Sequence, residues 1–187
     1  MKTLYIIAGA NGSGKTTFAK SFAKINNLYF INADEIAKEL DKDNITKYKM
    51  KAGKIFFQEL EKHLQYVNSF IIETTLSGKY LIKYIQQAKK LNFQVSLIYL
   101  FLENPNTNIS RVKNRVLNGG HNVPQDDIIR RFYRSKNMFY HTYKNLVDEW
   151  SIYYNSNEIF EEVANDTTIL DNYQYNEFIR DIQCKHK

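Results

Sequence analysis

Residues Gly9-Ala10-Asn11-Gly12-Ser13-Gly14-Lys15-Thr16 spell Gly-x-x-x-x-Gly-Lys-Thr, and their flanks decide how the whole chain folds. Before them, Thr3–Ala8 reads as a buried strand; after them, Lys15–Ile25 reads as a helix with Phe18, Phe22 and Ile25 facing inward. A strand, a glycine-rich turn and a helix N-terminus form a cradle for phosphate. The glycines let the backbone curl until N–H groups converge, and the helix end adds partial positive charge. Three of the seven glycines, Gly9, Gly12 and Gly14, fall in this one turn. The spacing predicts that Gly9, Asn11, Gly12, Ser13, Gly14, Lys15, Thr16 and Thr17 bind a nucleoside triphosphate. Lys15, expected on an exposed loop, would reach the β- and γ-phosphates, and the Thr16 hydroxyl would ligate Mg²⁺. A dinucleotide reading from Gly12 fails, because Thr17 stands where a third glycine is needed.

Working outward, strands are expected at Leu28–Asn32, Phe70–Thr74, Phe93–Leu102 and Ser151–Tyr154. Between them lie helical stretches: Glu35–Leu40, Ala52–Ser69 with Ile55, Phe56, Leu60, Leu64 and Val67 in phase, and Ser77–Leu91. Asn106 is read as capping a helix that runs to Val116 and stops at Gly119-Gly120. Pro124, Asp126 and Asp127 open another that runs toward Val147, and Tyr173–Cys184 closes the chain. Residues 41–51 read as a polar connection. Repeated strand–helix units behind the phosphate loop imply an α/β P-loop fold: one domain over residues 1–187, five parallel strands, and helices on both faces.

Composition narrows the function. The chain has 187 residues, 43% of them hydrophobic and 25% charged, enough to bury a core. The single cysteine, Cys184, excludes a disulfide framework, and four histidines without zinc spacing argue against a structural zinc site. No apolar run approaches membrane-spanning length, and Met1-Lys2-Thr3-Leu4 runs straight into a strand; a cytoplasmic protein with no membrane contact is expected.

Net charge is +6 and unevenly spread. Five of the six arginines, Arg111, Arg115, Arg130, Arg131 and Arg134, lie within one stretch, on two helices separated by Gly119-Gly120-His121. Arginine's planar fork suits phosphate, so this block reads as a helical lid, roughly residues 106–145, that closes over a triphosphate. A plain charged helix face is the alternative. His121 in the bend reads either as a local hydrogen-bonding residue or as a participant in chemistry.

Two carboxylates complete the pattern. Asp34, just past the second strand, sits where α/β sheets bind ligands and can take a proton from an attacking hydroxyl, or can merely cap the helix after it. Glu73, ending the third strand, can hold Mg²⁺ through water or position the acceptor, or can simply face solvent.

These elements together resemble the zeta-toxin-type P-loop kinases, and more closely their short relatives with a Gly-Gly-His-x-Val-Pro segment. The resemblance is carried by Gly9–Thr17, Asp34, Glu73-Thr74-Thr75-Leu76, Arg111, Arg115, Gly119-Gly120-His121, Val123-Pro124 and Arg130-Arg131-Phe132, and covers roughly residues 3–165. It implies an ATP- or GTP-dependent kinase with Mg²⁺ and strand order 2-3-1-4-5. It also implies Asp34 as base, Lys15 with lid arginines (Arg115 and Arg130, then Arg131) as clamp, Arg111 at the nucleotide, and Asp34, Glu73 and Thr75 at the acceptor. Zeta toxins phosphorylate UDP-N-acetylglucosamine and are restrained by an antitoxin, so a UDP-sugar acceptor and an antitoxin partner are implied as well. Two departures weaken the sugar nucleotide: Ser77 stands where the toxins carry an arginine, and the segment between the second and third strands shows no polar, aromatic substrate element.

A kinase acting on a hydroxyl of a small molecule is the first expectation. A polynucleotide or tRNA-end kinase, whose substrate the basic block would track, and a non-enzymatic nucleotide switch are the alternatives.

Overall fold

The computed structural model describes residues 1–41, 45–66, 68–120, 122–156 and 159–183. Strand β1 (Lys2–Ala8) is apolar on both faces because both faces are covered. Leu4, Ile6 and Ala8 point into the larger core, while Ile7 points into a second one with Ile71, Ile98 and Leu100. Helix α1 (Lys15–Asn26) covers that second face through Ala19 and Ala23, with Phe18 and Phe22 packed beside them. Ile25, expected inward, is 82% exposed, since the buried stripe follows the alanines.

The remaining elements follow as β2 (Tyr29–Ile31), α2 (Ala33–Leu40), α3 (Ile45–Tyr66), β3 (Phe70–Thr74), α4 (Ile82–Lys90) and β4 (Phe93–Phe101). After them come α5 (Pro105–Leu117), α6 (Gln125–His141), β5 (Glu149–Ser156), β6 (Ile159–Asn165) and α7 (Asn172–Gln183). Sheet order is β2-β3-β1-β4-β5-β6. This is the α/β P-loop kinase-like fold, and the first five strands are parallel in the expected order. The sheet has six strands rather than five, because β6 pairs antiparallel with β5 at the edge. Its central Glu161 and Glu162 interrupt the apolar run that marks a buried strand, although Val163 and Ala164 are buried.

Three boundaries move for local reasons. Helix α3 starts at Ile45, inside the stretch expected to be a polar connection. Helix α5 is capped by Asn104, whose side chain accepts from the Thr107 N–H, with Pro105 at the first turn; Asn106 is already helical. Helix α6 ends at His141 rather than near Val147. The positions of Val67, His121 and Cys184 lie outside the described residues. No helix among the described residues is long and apolar enough to cross a membrane.

Helices α5 and α6 share a small cluster of their own, Ile109, Val112, Val123 and Ile128. The second half of α6 is instead fixed to the main core. Phe139 is buried there, and Ser135 bonds the Tyr99 hydroxyl at 2.5 Å. Lys136 of α6 is buried in an ion pair with Asp181 of α7, its ammonium over the rings of Phe132 (4.1 Å), Phe101 (5.0 Å) and Phe178 (5.2 Å). Burial pushes the Lys136 pKa down to about 8 against the pull of Asp181. Between that value and the ordinary 10.5, the unfolded chain holds the proton more tightly, so stability from this group rises with pH across that window. Lys136→Met should remove this slope and, by leaving the Asp181 carboxylate unpaired, cost about 2–3 kcal/mol at neutral pH. Adding Asp181→Leu should restore most of the loss; urea unfolding of both variants from pH 7 to 10 decides, and an unchanged single variant would refute the pairing.

Candidate active site

Parallel strands bring their carboxyl ends to one edge of the sheet, and the registers show what meets there. Ala8, before the glycine loop, lies opposite Thr74 on one side and Tyr99 on the other; Glu73 lies opposite Ile7, and Ile31 opposite Ile72. Loop, Asp34 and Glu73 therefore share a crevice although they are far apart in sequence.

The loop is held from below and behind. Gly9 (φ 141°) sits so close to β4 that a Cβ would lie 2.2 Å from the Leu100 carbonyl oxygen. Gly14 (φ 91°) opens α1, and a Cβ there would meet the Asn155 amide nitrogen at 2.3 Å. Asn108 donates to the Asn11 carbonyl at 2.6 Å, Asn155 to the Ser13 carbonyl at 3.0 Å, and Arg131 to the Asn11 side-chain oxygen at 3.1 Å. Asn11, Gly12, Gly14, Lys15, Thr16 and Thr17 line a cavity of about 980 Å³. Gly9 and Ser13, expected as phosphate contacts, do not line it. Gly9 is pressed on β4, while the Ser13 side chain is fully buried and its N–H bonds the Ala10 carbonyl at 3.2 Å.

At the centre are four side chains. Lys15 is 6% exposed rather than free on the loop; its Nζ donates to the Ala10 carbonyl at 2.8 Å and lies 4.0 Å from Glu73. Thr16 donates its hydroxyl to both Glu73 oxygens, at 3.1 and 2.9 Å, and the Asn32 amide donates to the same carboxylate at 2.5 Å. Burial lowers the Lys15 pKa, opposed by Glu73 and Asp34 and reinforced by the guanidinium groups of Arg115 and Arg131. Burial likewise raises the Glu73 pKa, opposed chiefly by Lys15 and the Thr16 hydroxyl. Each charge is costly where it stands, so a site that adds an anion beside Lys15 and a cation beside Glu73 relieves both.

Asp34 is exposed at the first turn of α2 and lines the same cavity. It is not the cap of that helix. Asn32 is, its side-chain oxygen accepting from the N–H groups of Asp34 (2.7 Å) and Glu35 (3.1 Å). Asn32 thus ties the Asp34 backbone to the Glu73 carboxylate. The N-cap preference of asparagine before a helix was the signal for it, obscured by Asp34 two places on.

The arginines divide. Arg111 and Arg115, one α5 turn apart, line the cavity; Arg111 also donates to the Asn155 carbonyl at 3.3 Å. Gly119 (φ 78°) turns the chain so that the Gly120 N–H bonds the Arg115 carbonyl at 2.8 Å. Arg131 reaches the loop through Asn11, whereas Arg130, placed in the clamp by the resemblance, is turned to Asp127, which Arg131 also approaches at 3.8 Å. Arg130 is exposed and paired with Asp127 at 2.7 Å, because adjacent helical residues face about 100° apart. Arg134 is exposed as well.

Sheet order separates two ends of the cavity. Over β4–β6 lie Arg111, Asn155 and Phe160; over β2–β3 lie Asp34, Phe56, Phe57, Thr75 and Tyr80. Phe56 and Phe57 of α3 both line this end, Phe56 being at the same time part of the main core, as its helical phase predicts. Among the described residues no group of three His, Cys, Asp or Glu side chains is placed to hold a metal by itself.

Residues 4–137 match the family AAA_33, described as an AAA domain. An uncharacterized protein of Haemophilus influenzae is 32% identical over 128 residues, 66% of this chain and 88% of that protein. Among solved structures, AvrRxo1-ORF1:-ORF2 with ATP superposes with a TM-score of 0.75 at 15% identity, over 95% of this chain and 63% of that one. This chain therefore spans less than two thirds of that neighbour's length. The PezAT chromosomal toxin–antitoxin system of Streptococcus pneumoniae superposes with a TM-score of 0.68 at 19% identity, over 96% of this chain and 79% of that one.

Proposed function

We propose that this chain, which belongs to the AAA domain family AAA_33, is a kinase that moves the γ-phosphate of ATP or GTP to a hydroxyl of a small molecule. One observation carries the reading: Lys15, Thr16, Glu73, Asp34 and Arg115 converge on a single cavity at the carboxyl edge of the sheet. The triphosphate would lie along Gly12–Thr17, with its base toward Arg111, Asn155 and Phe160. The fold-related AvrRxo1 pair is described with ATP, which supports the choice of donor.

The chemistry is transfer by positioning and charge. Asp34 accepts the proton as the acceptor oxygen attacks the γ-phosphorus; the bond from that phosphorus to the β,γ-bridging oxygen breaks, and the nucleoside diphosphate leaves. Lys15, Arg115 and Arg131 face the charge that builds on the transferring group. Thr16 and Glu73 fit Mg²⁺, a hard cation that takes a hydroxyl and a carboxylate, directly or through water, and completes its shell on phosphate; it would supply neutralising charge there. Asn32 keeps Glu73 and the first turn of α2 in place. Helices α5 and α6, joined by their own cluster, form a lid over the donor, and the whole chain acts as one domain.

The likeness to a toxin–antitoxin system extends the proposal to an antitoxin-type protein partner, tested by co-purification with the product of an adjacent gene. The kinase itself is tested with γ-labelled ATP and candidate acceptors. Asp34→Asn should keep nucleotide affinity and lower transfer by about 10² or more. Because Asn32 caps the helix, stability should change by no more than a few tenths of a kcal/mol. Normal turnover in Asp34→Asn would remove the base from the scheme.

A further inference from the structure

The two ends of the cavity differ in charge. Outside the central cluster of Lys15, Glu73 and Arg115, the donor end holds Arg111, whereas the end over β2–β3 holds Asp34 and, among the described residues lining it, no cation. From this asymmetry, and resting on the kinase reading above, we infer that the acceptor is an alcohol without negative charge, neutral or cationic, that lays an apolar ring against Phe57 and Tyr80.

The wall for such a ring is already ordered. Tyr80 is held by a 2.6 Å hydrogen bond between its hydroxyl and that of Thr74. Phe57 meets Tyr80 edge-on, centroids 5.6 Å apart, and stacks on Tyr84 at 5.0 Å. One turn earlier on α3, Gly53 lines the cavity with open space above it; a Cβ there would meet nothing within 4 Å. The polar groups nearby are uncharged hydroxyls, with Thr75 and Ser77 bonded at 3.0 Å, suited to sugar-like or alcohol oxygens. Lys20, on the next turn of α1 after Lys15, is committed to Glu35.

A phosphorylated acceptor would bring one or two negative charges beside Asp34 in a partly enclosed space. With no counter-ion among the described residues of that wall, the contact is repulsive and desolvation is uncompensated. A polynucleotide or sugar nucleotide is thereby disfavoured, while a neutral ring alcohol costs nothing electrostatically and places its hydroxyl at Asp34.

The experiment splits a metabolite extract by anion exchange before the reaction. Each fraction is incubated with the wild-type chain, Mg²⁺ and γ-labelled ATP, with adenosine and uridine against AMP and UDP as defined probes. Label should enter compounds of the unretained fraction at least tenfold more than those of the retained one. Tyr80→Arg, at a residue 43% exposed, should move that ratio about tenfold toward the retained compounds, and Tyr80→Phe should leave it in place. Equal or greater labelling from the retained fraction overturns the inference and leaves the kinase reading standing, as does a ratio indifferent to Tyr80→Arg. Labelling from neither fraction, with ATP bound, overturns the kinase reading and the inference with it.

Discussion

Lys15→Ala is expected to lower phosphotransfer by about 10³ or more. A single oriented donor at developing charge is worth two to three orders of magnitude, and a buried ammonium at the γ-phosphate exceeds a neutral donor. Folding is a separate question, because Lys15 is enclosed. The variant loses the bond to the Ala10 carbonyl and leaves Glu73 without its nearest cation, yet it also removes an ammonium whose burial opposes its own charge. These effects offset, so unfolding free energy should shift by no more than about 1–2 kcal/mol. Lys15→Met, which keeps the stem's volume, should show the same loss of transfer with less change in stability. Nucleotide affinity and turnover equal to wild type in either variant would end the assignment of the loop to phosphate.

What could be read from the chain divides along the range of the interactions involved. The loop and its flanking strand and helix are local, and the parallel order follows once alternating strands and helices are recognised. Strand β6 could not be read this way: its glutamates, Glu161 exposed and Glu162 half-buried, make sense only against β5 at a sheet edge, a contact that periodicity does not encode. Burial of Lys15 escaped notice for a related reason, since Glu73, fifty-eight positions away, and the arginines of the α5–α6 region build the enclosure around it. Asp34 was the cap that the sequence offered, and the fold of the turn gives that role to Asn32 instead. Phe57 illustrates the limit on the acceptor side. The apolar phase of α3 runs through Phe56, and the place of Phe57 beside it on the cavity wall depends on Tyr80 and Tyr84 from another part of the chain.

Arginine phase on α6 leads to the second large effect. Arg115→Ala and Arg131→Ala should each lower the rate of transfer by about 10²–10³, with a much smaller change in ATP affinity, because these groups meet charge that is greatest in the transition state. Arg130→Ala should remain within about twofold of wild type. Its guanidinium is exposed and engaged with Asp127, an interaction of the surface kind that contributes little. Lysine at position 115 or 131 should rescue poorly, since a point charge does not reproduce arginine's planar fork, which at Arg131 already engages Asn11. A nucleic-acid track predicts another pattern: Arg130 and Arg134, both exposed, would contribute about as much as Arg115 and Arg131. Each replacement would then weaken RNA binding and flatten its salt dependence while transfer to a small acceptor persisted. Rate, ATP affinity and RNA affinity measured on the same four alanine variants separate the two, and transfer that survives Arg115→Ala and Arg131→Ala would remove both arginines from the clamp.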